Sequence, residues 1–325
     1  MTDKTNRRGS LQFYPRKRAA KILPSVNWKA VSGSASGSVS ASKENKGLAG
    51  FIGYKAGMAN AYVKDITEDS MTKNKRITIP VTLIECPEMK IFSVRFYKNG
   101  KVVKDIVVSN EKELKRKVKT AKQTGKIEDV KDFDDLRIIA YTIVRKTGVK
   151  KTPDLIEIAL FGTKDEKINF VKEKIGKEIS VLDVFKKGKG GVVDVRAVTK
   201  GKGLQGTIKR FGIGLKAHKS EKGRRRPGSL APWHPARVTF RTPMAGQMGF
   251  QSRIAYNNLI IDIGKISEKN INKEEGLHKY GKIRTDFLIL KGSVPGAKKR
   301  QILITPALRT SKRQKKLNYE FISLR

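Results

Sequence analysis

Residues 199–253 read TKGKGLQGTIKRFGIGLKAHKSEKGRRRPGSLAPWHPARVTFRTPMAGQMGFQSR, and the rest of the chain is read outward from them. The stretch carries thirteen basic residues, from Lys200 and Lys202 to Arg253, against one acid, Glu221. Glycines lie among them at no helical or strand period, and few apolar residues recur often enough to cover a core. Ordering a residue costs about 1–2 kcal/mol, and a segment with so little to bury does not recover that alone. It is expected to take its shape from a dense negative charge. Phosphate backbone is the obvious candidate, because each neutralised phosphate releases a counterion. A merely solvated loop would leave the large rings of Trp233 and Phe240 without a role.

The whole chain repeats the theme. Its 325 residues hold 71 Lys and Arg against 30 Asp and Glu, a formal charge of +41. Self-repulsion of that size asks for a polyanionic partner, and RNA, DNA and anionic membranes all qualify. The single cysteine, Cys86, excludes an intramolecular disulfide, and in VTLIECPEM it reads as a core thiol. There is no apolar run of membrane-spanning length, and the N-terminus is polar and basic rather than signal-like, which points to the cytoplasm.

Taken in order, residues 1–47 read as an extended basic arm carrying Arg7, Arg8, Arg16, Lys17 and Arg18, with Phe13, Tyr14 and Trp28 as anchors. The rings would stack on bases or pack on the domain. Residues 48–103 are strand-like. LAGFIGYKAGMANAYV suggests short strands with tight bends, ITIPVTLIEC and KIFSVRFYKNGKVV are strands, and Asn99-Gly100 marks a hairpin. Residues 104–180 predict an inserted small α/β domain, with helices at 111–123 and 165–176 and strands at 135–146 and 154–162. Strands resume over 181–198. The finger-like stretch 199–253 follows, then closing strands over 254–308 and a basic tail over 309–325. The fold class expected is mainly β, a barrel with the inserted unit, the arm and the finger.

Enzymatic chemistry finds little support. Nowhere is Gly-Lys followed by Ser or Thr, so a P-loop is absent, and GKGGVV and GKGLQG lack the strand–G-x-G-x-x-G–helix context of a dinucleotide site. Their glycines suit close approach of the backbone to a sugar-phosphate chain, with Lys200 and Lys202 neutralising it. His218, His234 and His278 are scattered, and one cysteine builds no zinc site. In APWHPARV, Pro232 and Pro235 bracket Trp233 and His234, stiffening a turn that offers an indole for stacking. The candidate nucleic-acid contacts are therefore Arg7, Arg8, Arg16, Lys17, Arg18, Lys200, Lys202, Lys209, Arg210, Arg224, Arg225, Arg226, Trp233, His234, Arg237, Arg241 and Arg253. An RNA-modifying enzyme with a pocket around His234 and an architectural DNA-binding protein stand as alternatives.

FYPRKRA (13–19), FIGYKAGM (51–58), VTKGKGLQGTIKR (198–210), WHPARV (233–238), AGQMG (245–249) and KGSVPG (291–296) occur in this order. Together they resemble the ribosomal protein L3 family, in its archaeal and eukaryotic branch. The resemblance implies a translation-factor-like β-barrel and direct, early binding to large-subunit rRNA. It also implies a finger reaching the peptidyl-transferase centre with Trp233 at its tip, and a globular side near the elongation-factor docking region. Neighbouring ribosomal proteins are the implied partners, with no membrane, no homo-oligomer and no catalytic role. No cofactor is implied, Mg2+ entering only through the bound rRNA. One departure is a loop, KKGKGG, two residues longer than the family spacing between Phe185 and Asp194.

Overall fold

The computed structural model describes residues 13–32, 47–121, 123–125, 127, 130, 132–185, 190–234, 236–240 and 242–325. The chain divides into two compact units, one of Leu23–Ala197 with Ile254–Arg325, the other of the residues up to Ile22 with Val198–Arg253. In chain order the elements are α1 (Trp28–Ser32), β1 (Gly47–Leu48), β2 (Phe51–Asp65), β3 (Arg76–Cys86), β4 (Met89–Lys98) and β5 (Lys101–Val107). Then come β6 (Asp135–Thr142), β7 (Leu155–Phe161), α2 (Lys164–Lys174), α3 (Val181–Val184) and β8 (Val192–Val198). The finger stretch holds β9 (Leu204–Gln205), α4 (Thr207–Phe211) and β10 (Gly246–Gln247). The chain closes with β11 (Ser252–Gly264), β12 (Asp286–Lys291), β13 (Gln301–Pro306), α5 (Lys312–Lys316) and β14 (Tyr319–Leu324).

The larger unit contains two sheets. One has seven strands in the order β13-β8-β11-β12-β3-β2-β14, with β13 also meeting β2; the other has five, β1-β7-β6-β4-β5. The alternation of β12 and of the second half of β3 explains their apolar character. Val81, Leu83, Phe287 and Ile289 enter one core cluster, while Ile84, Cys86, Leu288 and Leu290 enter another. Successive side chains point to opposite faces, so a strand buried on both sides is largely apolar and its polar members, Thr82 and Glu85, are hydrogen-bonded. Each such side chain contributes roughly 1.5–3 kcal/mol on burial. Two buried polar knots reinforce the unit. The Tyr54 hydroxyl donates to Asp154 at 2.5 Å, and Glu85 accepts from the amides of Arg284 and Thr285 at 2.8 and 3.1 Å.

The barrel expectation is corrected. The seven-stranded sheet is curled so that four residues of β13 reach β2, but it is not a barrel: β14, paired with β2, ends it on an open edge. The inserted α/β domain is corrected with it. Strands β4 and β5, expected in the barrel, instead join β6 and β7 in one sheet through the β4–β6 pairing, so residues 89–161 supply most of one antiparallel sheet. Among the described residues of the charged 111–123 segment the helix is a 3-10 turn at Lys112–Arg116, where Leu114 is the one residue that is buried. The 51–65 stretch is one long strand rather than several. Gly53 sits mid-strand because a Cβ there would lie 2.5 Å from Ile84 Cγ2, and the bulge between Lys55 and Gly57 bends the strand without ending it. Trp28 is buried in the core of the larger unit, as is Cys86.

Candidate nucleic-acid interface

The smaller unit holds most of the candidate contacts, and its base is ordered by its own backbone. β9 and β10 pair antiparallel, and the ladder runs on outside them. The amide of Lys202 donates to Met248 O at 2.9 Å, that of Met248 to Gly203 O at 2.9 Å, and that of Thr199 to Gln251 O at 2.9 Å. Gly249 makes this approach possible. Its φ is +69°, and a Cβ there would lie 2.1 Å from the Lys200 carbonyl oxygen, so no other residue fits without moving the backbone. The short α4 ends at left-handed Gly212 and turns Phe211 inward, where it is 3% exposed.

Residues 13–22 lie against this base. The Arg16 guanidinium sits 4.3 Å from the Phe211 ring centroid and donates to Arg210 O at 3.1 Å. Arg210 returns the bond to Arg16 O at 3.2 Å and also donates to Gln247 O at 3.0 Å and Met244 O at 2.8 Å. The Ala19 amide donates to Phe250 O at 2.8 Å, Arg18 covers the Phe250 ring at 4.9 Å, and Arg253 covers Phe13 at 4.4 Å. Arm and finger base thus pin each other through cation–π stacking and carbonyl bonds. This differs from the expectation of a stretch without contacts of its own. The source is a sparse set of aromatics, Phe13, Phe211 and Phe250, each carrying an arginine.

The electrostatics of the two units differ in kind. In the larger unit several cations meet carboxylates, Arg95 with Asp105 and Glu157, Arg137 with Asp135 and Glu157, Lys146 with Glu88 and Glu178. In the smaller unit, among the described residues, the arginine donors find neutral carbonyl and amide oxygens instead. Arg16, Lys200, Lys202, Arg210 and Arg253 gather round one cleft with no acid on its wall. Burial, and next the neighbouring Arg16, pull the Arg210 pKa below the ordinary guanidinium value. The cluster is a concentration of positive charge with no carboxylate among the residues that line it.

The remaining candidates are spread out. Lys17, Arg18, Lys209, Arg224, Arg225, Arg226, His234 and Arg237 are exposed. A backbone bond from Lys216 N to Arg224 O at 3.1 Å closes one loop, and Thr242 Oγ1 donating to Leu230 O at 2.8 Å closes the neck of another. The second loop presents Trp233 at 89% exposure and Phe240 at 91%. Trp233 therefore does not pack on its own domain. Arg7, Arg8, Pro235 and Arg241 lie outside the described residues. Phe250 and, beyond its reading as an anchor ring of the arm, Phe13 were not singled out in the sequence, nor were the glutamines 247 and 251. A ring beside an arginine in a basic segment is the signal that points to the first two. No group of three or more His, Cys, Asp or Glu among the described residues could hold a metal ion.

A sequence model of the family described as ribosomal protein L3 matches residues 1–324. The chain belongs to the ribosomal protein L3 family. It is 40% identical to the large ribosomal subunit protein uL3 of Archaeoglobus fulgidus, over 94% of this chain and 92% of that one. It is 36% identical to its counterpart in Methanothermobacter thermautotrophicus (96% and 95% covered) and 37% to that in Nanoarchaeum equitans (98% and 96% covered). Membership in the archaeal and eukaryotic branch of L3 makes this chain a structural, rRNA-binding constituent of the large subunit in the cytoplasm, and not an enzyme. Its partners are large-subunit rRNA and the neighbouring ribosomal proteins.

Proposed function

We propose that this L3 protein grips rRNA through its smaller unit, with the finger base and arm holding backbone phosphates and the Trp233 loop reaching between rRNA elements. The observation that carries this reading is the contrast in charge partners: Arg95, Arg137 and Lys146 of the larger unit pair with carboxylates, whereas among the described residues the arginines that line the cleft of the smaller unit bond only neutral oxygens. Unpaired guanidinium and ammonium groups on a chain at +41 make a phosphate-seeking surface. Fully exposed Trp233 and Phe240 add stacking surface that water alone gives no reason to keep. In the assembled subunit the finger would extend toward the peptidyl-transferase centre. The larger unit would lie on the factor-docking side, and the many-sided grip would support early assembly.

Binding to an rRNA fragment measured across a salt series tests the assignment. Replacing Arg224, Arg225 and Arg226 together by Ala should flatten the slope of log K against log salt by about 2, since single-stranded and duplex contacts count roughly 0.7–0.9 each. An unchanged slope would remove the distal loop from the phosphate interface.

A further inference from the structure

The cleft at the finger base is more than a share of the general positive surface. Its volume is about 430 Å3, within the range of sites that enclose small organic groups and larger than a lone phosphate needs. Its wall brings Phe13 together with Arg16, Lys200, Lys202, Arg210 and Arg253. We infer that this cleft is a receptor for one unstacked nucleotide of single-stranded RNA, the phosphodiester held by the five cations and the base laid on Phe13. The inference rests on the rRNA-gripping reading above and names one subsite within it.

Three observations support a nucleotide over a bare anion. The first is preorganisation. Arg210 is fixed by carbonyls on three sides, and Arg253 by Ser252 O at 2.9 Å and Gln251 Oε1 at 3.0 Å, so both charges are held before any ligand arrives. The second is the ring. Phe13 is 47% exposed although Arg253 covers it at 4.4 Å, which leaves apolar surface beside fixed positive charge. A base with its own phosphate matches that pairing, and an unstacked base is free to use it. The third is the close backbone approach at Gly249, which brings the Lys200 and Lys202 strand against residues 246–251 and so lines up the two ammonium-bearing residues with the arginines.

The cleft has a further consequence. Phe13 and Arg16 come from the arm, and the other cations come from the finger base, so the receptor exists only while the arm is docked. The docked state sets Arg16 close to Arg210, and a bridging phosphate relieves that repulsion. Nucleotide binding therefore fastens the arm, and arm docking completes the nucleotide site.

The test uses the full-length chain with a short oligouridine carrying photoreactive 5-iodouracil, with inorganic pyrophosphate and a duplex RNA of equal charge as comparison probes. Crosslinks are mapped by mass spectrometry, and protease resistance of residues 13–22 is followed in parallel. The expected result is a crosslink at Phe13 that falls about tenfold in Arg253→Gln and in Lys200→Gln, with the arm protected by the oligouridine and much less by pyrophosphate. Lys73→Gln, on the exposed turn between β2 and β3, should leave the Phe13 crosslink in place. Crosslinks confined to residues 215–240, equal protection by pyrophosphate, or equal yield with duplex would each overturn the inference. If those outcomes came with normal rRNA affinity and salt slope, the cleft alone would fall. Loss of all rRNA binding by the wild-type chain would instead strike the reading beneath it.

Discussion

At the scale of single residues, the smaller unit depends on a few aromatic rings capped by arginine. Phe211 is the central one, buried beneath Arg16 and at 5.1 Å from Arg210. Phe211→Ala should release the arm while sparing the larger unit, whose core does not include it. Hydrogen exchange checks this: the Ala19 amide, bonded to Phe250 O, should exchange at least about tenfold faster, with protection in β3 and β12 unchanged. Unaltered exchange at Ala19 would contradict the role given to the ring. Arginines 16, 210 and 253 were legible in the sequence as candidates, because charge density alone marks them. Their convergence was not. It depends on Gly249 accepting a left-handed φ and on the carbonyls that aim each guanidinium, and neither leaves a periodic trace. The bracketed Trp233 was legible as an exposed platform for the same reason that it is exposed: nothing apolar recurs around it.

At the scale of elements, the turn between β2 and β3 is tied by one carboxylate. Asp65 accepts from the Thr67 amide at 3.0 Å, Ser70 Oγ at 2.7 Å and Thr72 Oγ1 at 2.5 Å. Burial on its own would raise the Asp65 pKa, but these hydrogen bonds outweigh it and hold the carboxyl well below the usual range. With the folded value depressed, its stabilisation is complete above the unfolded value of about 4 and is lost as the pH falls below it. Asp65→Asn should accordingly lower stability at neutral pH and shrink the gap from wild type as acid is added, read from denaturant midpoints at several pH values. A gap that stays constant below pH 4 would contradict this. Strand positions came readily from the sequence, since β3, β4, β6, β7, β12 and β13 all fall on apolar runs flagged there. Partner choice did not. Nothing in KIFSVRFYK says that β4 pairs with β6 rather than closing a barrel, and the tail strand β14 hides its Tyr319 and Phe321 alternation behind a basic run.

At the scale of the molecule, two units with different internal chemistry share one chain. The larger has an apolar core on both sides of its main sheet and a set of cations paired with carboxylates; the smaller has aromatic rings under arginine and a cationic cleft. On the proposed reading, stability belongs to one and rRNA contact to the other. Oxidative labelling by hydroxyl radicals reads it directly, because Trp233, Phe240 and Met71 are all almost fully exposed in the free chain, at 89%, 91% and 97%. In the assembled large subunit, Trp233, Phe240 and Phe13 should lose most of the labelling they take in isolated protein. Labelling of Trp233 and Phe240 at the same rate in the subunit as in free protein would contradict the assignment of the smaller unit to rRNA.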